Sequence, residues 1–349
     1  MRSGPHRGQP GPMRAYVLRR HGPPSVLRPE DLPEPVPGAG QARVRVEAIG
    51  INYAEILSRK GLYGWAPRLP YVLGMEATGV IDAVGEGVPR EPGERVIAGM
   101  KTGGYATSVV VDARAALPAI DGLSVEENAA FPVNWLTAWV GLVESGRLRA
   151  DDRVLISPAG GGVGTAAVQI AGRRGAFVIA AAGSDEKLAR VRELGAEAIV
   201  NYRADGWEER LREAAGPGGV DIALEMVGGE VFRAAKAALA PFGRVVVVGY
   251  ASLDYRWWNP WSLWCAWRDR PALALREMLT RSIGISSSHV GYLLPHADRV
   301  RRIWDELTAF VAEHGIRPQV GHVLPFEEAA EAHRLIESRE SYGKVVLRV

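Results

Sequence analysis

Short apolar runs and alternations of apolar with polar residues fill the first third of the chain. Residues 15–18 and 42–48 have this character, separated by the stretch Pro33-Glu34-Pro35-Val36-Pro37-Gly38. Further short strands are expected at 79–84 and 95–97, with turns at Gly85-Glu86-Gly87 and Pro92-Gly93. Strands this closely spaced predict a compact, barrel-like β domain. Ser124 followed by Glu127 has the spacing of a capping box and predicts a helix start.

After Leu136 the period changes. Strands are expected at 153–157, 177–182, 199–200, 221–224 and 244–249, and helices at 165–172, 185–194, 207–214 and 229–239. This alternation predicts an α/β fold, a parallel sheet with helices on both faces. An amphipathic stretch at 298–314 and a strand at 344–349 complete the chain. Trp257, Trp258, Trp261, Trp264 and Trp267 are half of the ten tryptophans. Asn259-Pro260 marks a helix start, after which Trp261, Trp264 and Trp267 share a flank. They read as a hydrophobic interface, a lid over an aromatic substrate, or a membrane-surface belt.

Composition narrows the classes. Formal net charge is +2, arginine far outnumbers lysine, and no block of like charges occurs, so no nucleic-acid partner is expected. Cys265 is the only cysteine, which excludes an internal disulfide and a cysteine-rich metal site. Apolar runs fall short of the roughly 18 residues a membrane span needs. Residues 1–12 are polar and rich in Gly and Pro; they read as a disordered leader, with Met13 a candidate start. A soluble, cytoplasmic protein is the expectation.

The strongest chemical signal is Ser157-Pro158-Ala159-Gly160-Gly161-Gly162-Val163-Gly164, an apolar strand running through glycines into a helix. Glycine lets the backbone approach a pyrophosphate closely, and the free N–H groups of the helix start meet its charge. The G-x-G-x-x-G spacing is only relaxed here, because Thr165 takes the third position. After the second strand stand Gly183-Ser184 and Lys187, where an NAD site would carry a carboxylate. A small donor and a cation suit the 2′-phosphate of NADPH; Asp185, beside them, reads as a first-turn helix acid.

These residues, with Gly50-Ile51-Asn52-Tyr53-Ala54-Glu55, Arg59-Lys60-Gly61-Leu62-Tyr63, Gly74-Met75-Glu76, Leu136-Thr137-Ala138, Asn201-Tyr202-Arg203 and Gly343-Lys344-Val345-Val346-Leu347, resemble the zinc-free quinone oxidoreductase (zeta-crystallin-like) branch of the medium-chain dehydrogenase/reductase superfamily. Val133-Asn134, Trp257-Trp258-Asn259 and His289-Val290-Gly291-Tyr292-Leu293 look like its vesicle amine transport protein homologue subgroup. The resemblance implies a GroES-like β-barrel domain (13–135 with 290–349), an inserted Rossmann domain that binds NADPH (136–289), a cleft between them, and a homodimer. It implies reduction of a small quinone or α,β-unsaturated carbonyl compound. Zinc-dependent relatives place Cys and His where this chain has Asn52 and Met75, neither a usual zinc ligand, so no metal is expected.

Without a metal, hydrogen-bond donors must stabilise the oxygen that gains charge. The resemblance puts Asn52 and Tyr63 at the reacting centre. As alternatives, Asn52 is a turn residue and Tyr63 a packing aromatic. It puts Thr137 near the nicotinamide ribose and Gly161, Gly162 and Val163 at the pyrophosphate. Ser184, Lys187, Tyr202 and Arg339 fall around the 2′-phosphate, and Gly249 and Tyr250 close over the dinucleotide. Asn134 reads as a helix cap or a nicotinamide contact, and His289 is a candidate cleft histidine. Rival readings are an enoyl-thioester reductase and an NADPH-binding interaction protein without turnover.

Overall fold

The computed structural model describes residues 12–249, 260–270, 272 and 274–349. The expectations for Tyr250, Trp257, Trp258 and all but the last residue of the leader lie outside them. In chain order the elements begin β1 (Pro12–Leu18), β2 (Pro29–Pro33), β3 (Gln41–Ile51), α1 (Tyr53–Lys60), β4 (Tyr71–Val72), β5 (Glu76–Val84), β6 (Arg95–Gly99), β7 (Ser108–Asp112), β8 (Ala116–Pro118) and α2 (Val125–Ala130). There follow α3 (Pro132–Trp139), a π-helical turn (Val140–Ser145), β9 (Arg153–Ser157), α4 (Gly162–Arg173), β10 (Phe177–Ala182), α5 (Asp185–Glu193), β11 (Ala198–Asn201) and α6 (Trp207–Ala215). The rest are β12 (Val220–Glu225), α7 (Gly229–Ala237), β13 (Leu239–Val247), α8 (Pro260–Arg268), α9 (Leu275–Arg281), β14 (Gly284–Ser287), α10 (Ala297–His314), β15 (Val320–Pro325), α11 (Ala329–Glu337) and β16 (Lys344–Arg348).

Two compact units result. The first holds Met1–Ala129, Val323–Arg339 and Val345–Val349; the second holds Ala130–His322 and Glu340–Lys344. The first is built on antiparallel strands in the order β15-β16-β3-β5-β6-β8, with β7 also on β3, and a small sheet β2-β1-β4. β3 alternates as read, with Ala42, Val44, Val46 and Ala48 buried. It extends past the expected 42–48 because it is the hub: β5, β7 and β16 all pair with it. The predicted capping box forms: Ser124 N–H donates to Glu127 Oε2 (2.7 Å), and Glu127 N–H donates to Ser124 Oγ (3.2 Å).

In the second unit the strands run β11-β10-β9-β12-β13-β14, all parallel. β9 lies at the centre, so Val154, Leu155 and Ile156 are all buried, as a strand covered on both faces requires. β14 was not foreseen: Gly284-Ile285-Ser286-Ser287 is short and half polar, and its register on β13 makes it a strand. The chain returns to the first unit at Val323, not at the expected residue 290. The reason is the apolar stripe of α10, whose Trp304 ring meets Phe131 edge-on while Phe310 meets Trp139, ahead of and on α3. α8 starts at Pro260 as expected, but its indoles are not core. Trp261, Trp264 and Trp267 are 68%, 45% and 59% exposed. Arg268 lies over Trp264 and Arg270 over Trp267. No helix among the described residues is long and apolar enough to cross a membrane.

Candidate functional site

In the second unit the strand order reverses beside β9, where β10 lies on one side and β12 on the other. In open parallel sheets the crevice beyond the strand ends at such a reversal is where ligands bind. Gly161 is the N-cap of α4, in extended conformation with φ −88°. No acidic side chain occupies the first turn of α4, and its leading N–H groups have no partner inside the helix. Glycine is required here by close approach. A Cβ on Gly164 would lie 2.2 Å from the Pro158 carbonyl oxygen, and one on Gly162 would lie 1.9 Å from Asn134 Nδ2. A Cβ on Gly161, in contrast, meets none of the described residues within 4 Å. The turn is therefore tight against the protein on one side and open on the other, the cradle a pyrophosphate needs.

The end of β10 brings several polar side chains together. Ser184 caps α5, accepting from the Lys187 N–H at 3.5 Å. Asp185 sits in the first turn of α5, as read, and also accepts from Asn201 Nδ2 at 2.9 Å. The Lys187 stem lies against Gly160, and Tyr202 and Arg203 lie against Gly183, within 3.2 Å of where its Cβ would be. Burial lowers the Lys187 pKa first, and repulsion from Arg203 lowers it further; Glu186 and Glu340 act the other way. Two cations thus share this corner with Ser184 and Tyr202. Arg203 was not singled out from the sequence. It stood in the motif Asn201-Tyr202-Arg203, but only the fold returns its side chain to Gly183.

The remaining second-unit candidates spread along the same sheet. Thr137 is half-buried on α3, and Asn134 lies inside that helix with Phe131 as the N-cap, so it is no cap; its amide abuts Gly162. Gly249 follows β13 and faces Met226. Glu225, at the end of β12, accepts from the N–H groups of Val227 and Gly228, and burial raises its pKa to about 7. Ser157 is its register partner on β9, with its hydroxyl buried and without a hydrogen-bond partner among the described residues. His289 follows β14, its ring 4.9 Å from that of Tyr292, and burial lowers its pKa. Arg339 belongs to the first unit, exposed and in left-handed conformation after α11. The neighbouring residue Glu340 acts on Lys187.

In the first unit, Asn52 caps α1 in a second capping box with Glu55, one not read from the sequence. Asn52 N–H donates to Glu55 Oε2 at 2.5 Å, and its Nδ2 donates to Glu76 Oε1 at 2.8 Å. Glu55 Oε1 also accepts from the Met75 N–H. All three side chains are buried. The Asn52 amide is thereby directed at two carboxylates, which favours the turn reading over that of a donor to substrate. Tyr63 is half-buried, edge-on to Trp65, and lines a recess of about 10 Å³, room for roughly one water-sized group. Among the described residues no three His, Cys, Asp or Glu side chains gather as a metal cluster.

A six-stranded parallel sheet in this order, with a glycine turn at its reversal and a cationic corner at the next strand, defines a dinucleotide-binding fold. Residues 38–121 match the alcohol dehydrogenase GroES-like domain family, and residues 162–260 match the zinc-binding dehydrogenase family. The chain is 32% identical over 340 residues to the quinone oxidoreductase of Rattus norvegicus, covering 96% of this chain and 97% of that one. It is 31% identical to the rat synaptic vesicle membrane protein VAT-1 homolog, across 96% of this chain and 84% of the other. The quinone oxidoreductase of Thermus thermophilus, described with its NADPH complex, superposes with a TM-score of 0.78 at 35% identity, over 96% of this chain and all of that one. The chain belongs to the medium-chain dehydrogenase/reductase superfamily, with the quinone oxidoreductase branch among its relatives.

Proposed function

We propose that this protein is a zinc-independent, NADPH-dependent reductase that passes hydride to a small quinone or α,β-unsaturated carbonyl compound, as a cytoplasmic homodimer. The observation that carries the cofactor choice is the corner at Gly183-Ser184, where Lys187 and Arg203 converge while Asp185 is engaged by Asn201. Cations there suit a 2′-phosphate, and a carboxylate turned to a ribose hydroxyl would have suited NADH. Gly161, Gly162 and Val163 hold the pyrophosphate at the α4 N-terminus. Ser184, Lys187, Tyr202 and Arg203 surround the 2′-phosphate, Thr137 lies near the nicotinamide ribose, and Gly249 closes over the dinucleotide.

Bound NADPH supplies hydride from nicotinamide C4. The Tyr63 hydroxyl donates to the substrate oxygen as negative charge builds there, and the protonation that follows needs only water. Asn52 is a positioning residue that bonds both Glu76 and Glu55, and Glu55 lines the recess beside Tyr63 and Met75. Zinc independence is supported by the donor chemistry of these groups. Asn52 and Met75 are not usual zinc ligands, and the Asn52 amide is engaged as a donor to Glu76. The sheet ends at β14, the edge on which a second copy would continue it.

The exposed indoles of α8 favour one other reading, an NADPH-binding interaction protein without turnover. The test is loss of NADPH or NADH absorbance with 1,4-benzoquinone, 9,10-phenanthrenequinone, trans-2-hexenal and crotonyl-CoA. Quinone- or hexenal-dependent oxidation of NADPH is expected; tight NADPH binding with no turnover would overturn the reductase reading, and a crotonyl-CoA preference would shift it to enoyl thioesters. Arg203→Ala should weaken NADPH at least about ten-fold while leaving NADH binding nearly unchanged, because it removes a charge-assisted contact only NADPH makes.

A further inference from the structure

We propose that the first-unit recess selects substrates bearing an anionic substituent, a carboxylate or sulfonate, and that Lys101 is the residue that recognises it. This rests on the reductase reading above and adds the substrate class. The recess is walled by Tyr63, Trp65, Pro67, Leu73 and Met75, with Thr102 at its edge. Only two ionisable acid or base side chains line it besides tyrosines, Glu55 and Lys101. Glu55 is buried, and its oxygens accept from the N–H groups of Asn52 and Met75, so its charge is offset by backbone dipoles.

Lys101 has no such offset. Among the described residues it makes no ion pair. Lys101 is exposed, and its ammonium stands 5.0 Å from the centre of the Trp65 ring, a contact that biases it toward the rim of the recess. Trp65 in turn is braced edge-on by Tyr63, at 6.4 Å between centroids. With room for about one water-sized group, the recess takes a single oxygen of a substituent and not a whole ring. An aromatic wall, a cation at the rim and room for one oxygen together fit an oxyanion carried on a flat, conjugated substrate.

The experiment compares 1,2-naphthoquinone with its 4-sulfonate in the wild type, Lys101→Gln and Lys101→Arg. The sulfonate is intrinsically easier to reduce, so the quantity read is the ratio of kcat/KM for the two substrates, compared between variants. That ratio should fall about five-fold in Lys101→Gln, mostly through KM, and be retained in Lys101→Arg. In the wild type it should shrink as ionic strength rises. A ratio that does not change with Lys101→Gln overturns the proposal. Binding of 2-naphthalenesulfonate against 2-naphthalenemethanol reads the same preference without turnover. A Lys101-dependent preference there with no quinone reduction would overturn the reductase reading alone; no Lys101 dependence would overturn this one.

Discussion

Glu225 is the residue whose chemistry departs furthest from its isolated behaviour among the groups at the sheet's end. Burial raises its carboxyl pKa from 4.5 to about 7, although the N–H groups of Gly228, Val227 and Met226 pull it down. The folded protein therefore holds the proton more tightly than the unfolded chain. Its contribution to stability is fully present below about pH 4.5 and is lost as pH rises through 7. By linkage this is worth roughly 3 kcal/mol across that window. Glu225→Gln keeps an acceptor for the Val227 and Gly228 N–H groups, and the Ser157 hydroxyl opposite can accept from the new amide. Urea midpoints measured from pH 5 to 8 should fall with pH less steeply in the variant than in the wild type; equal slopes would remove Glu225 as the cause. Asn52 teaches a related lesson at this scale. Its residue type announced a polar role, but which atoms it aims and at what depended on Glu76, 24 positions away.

At the scale of elements, the β9–α4 turn separates two uses of glycine. Gly164 permits helix and strand backbones to touch, since its Cβ would meet Pro158 O at 2.2 Å and Ala159 backbone atoms at 2.6 Å. Gly161 has no such neighbour and an unstrained φ. Gly164→Ala should lower the thermal midpoint and NADPH affinity together. Gly161→Ala should leave the midpoint within a degree or two and weaken NADPH by about ten-fold, through bulk placed where the ligand lies. Thermal unfolding with and without NADPH measures both; a Gly161→Ala protein with wild-type NADPH affinity would show that the open side of the turn is not the ligand's. Strong periodicity made β9, β10, α5 and α10 legible to within a residue or so, because each has an apolar set of the right period and a cap or break at its ends. β14 and the N-terminal extension of α4 lacked such signals: one is half polar, and the other starts on glycines.

At the scale of the whole molecule, the chain's last strand completes the sheet begun by its first third. Val345, Val346 and Leu347 are fully or almost fully buried and pair antiparallel with Ile51, Gly50 and Ile49 of β3. Burying each is worth roughly 1.5–3 kcal/mol, so losing all three removes a large part of a domain's usual 5–15 kcal/mol. A chain ending at Ser341 should therefore fail to form a stable first unit, read as loss of near-ultraviolet circular dichroism or of soluble yield. A soluble truncation with cooperative, wild-type unfolding would show that β16 is dispensable. The domain return expected at residue 290 failed at this same scale. The amphipathic pattern of 298–314 reveals an apolar face but not the surface it covers, and Phe131 and Trp139 claim it for the second unit.

The sequence by itself determined the α/β class, the alternating order of the second unit, the capping box at Ser124 and the glycine turn, because these depend on local period, backbone freedom and short-range hydrogen bonds. Tertiary structure alone decided that Asn52 turns to Glu55 and Glu76, that Arg203 joins Lys187 at Gly183, and that Asp185 is taken by Asn201. Each of those is a contact between residues brought together by strand pairing or helix packing, and sequence spacing carries no record of which side chains will face one another once the chain has closed.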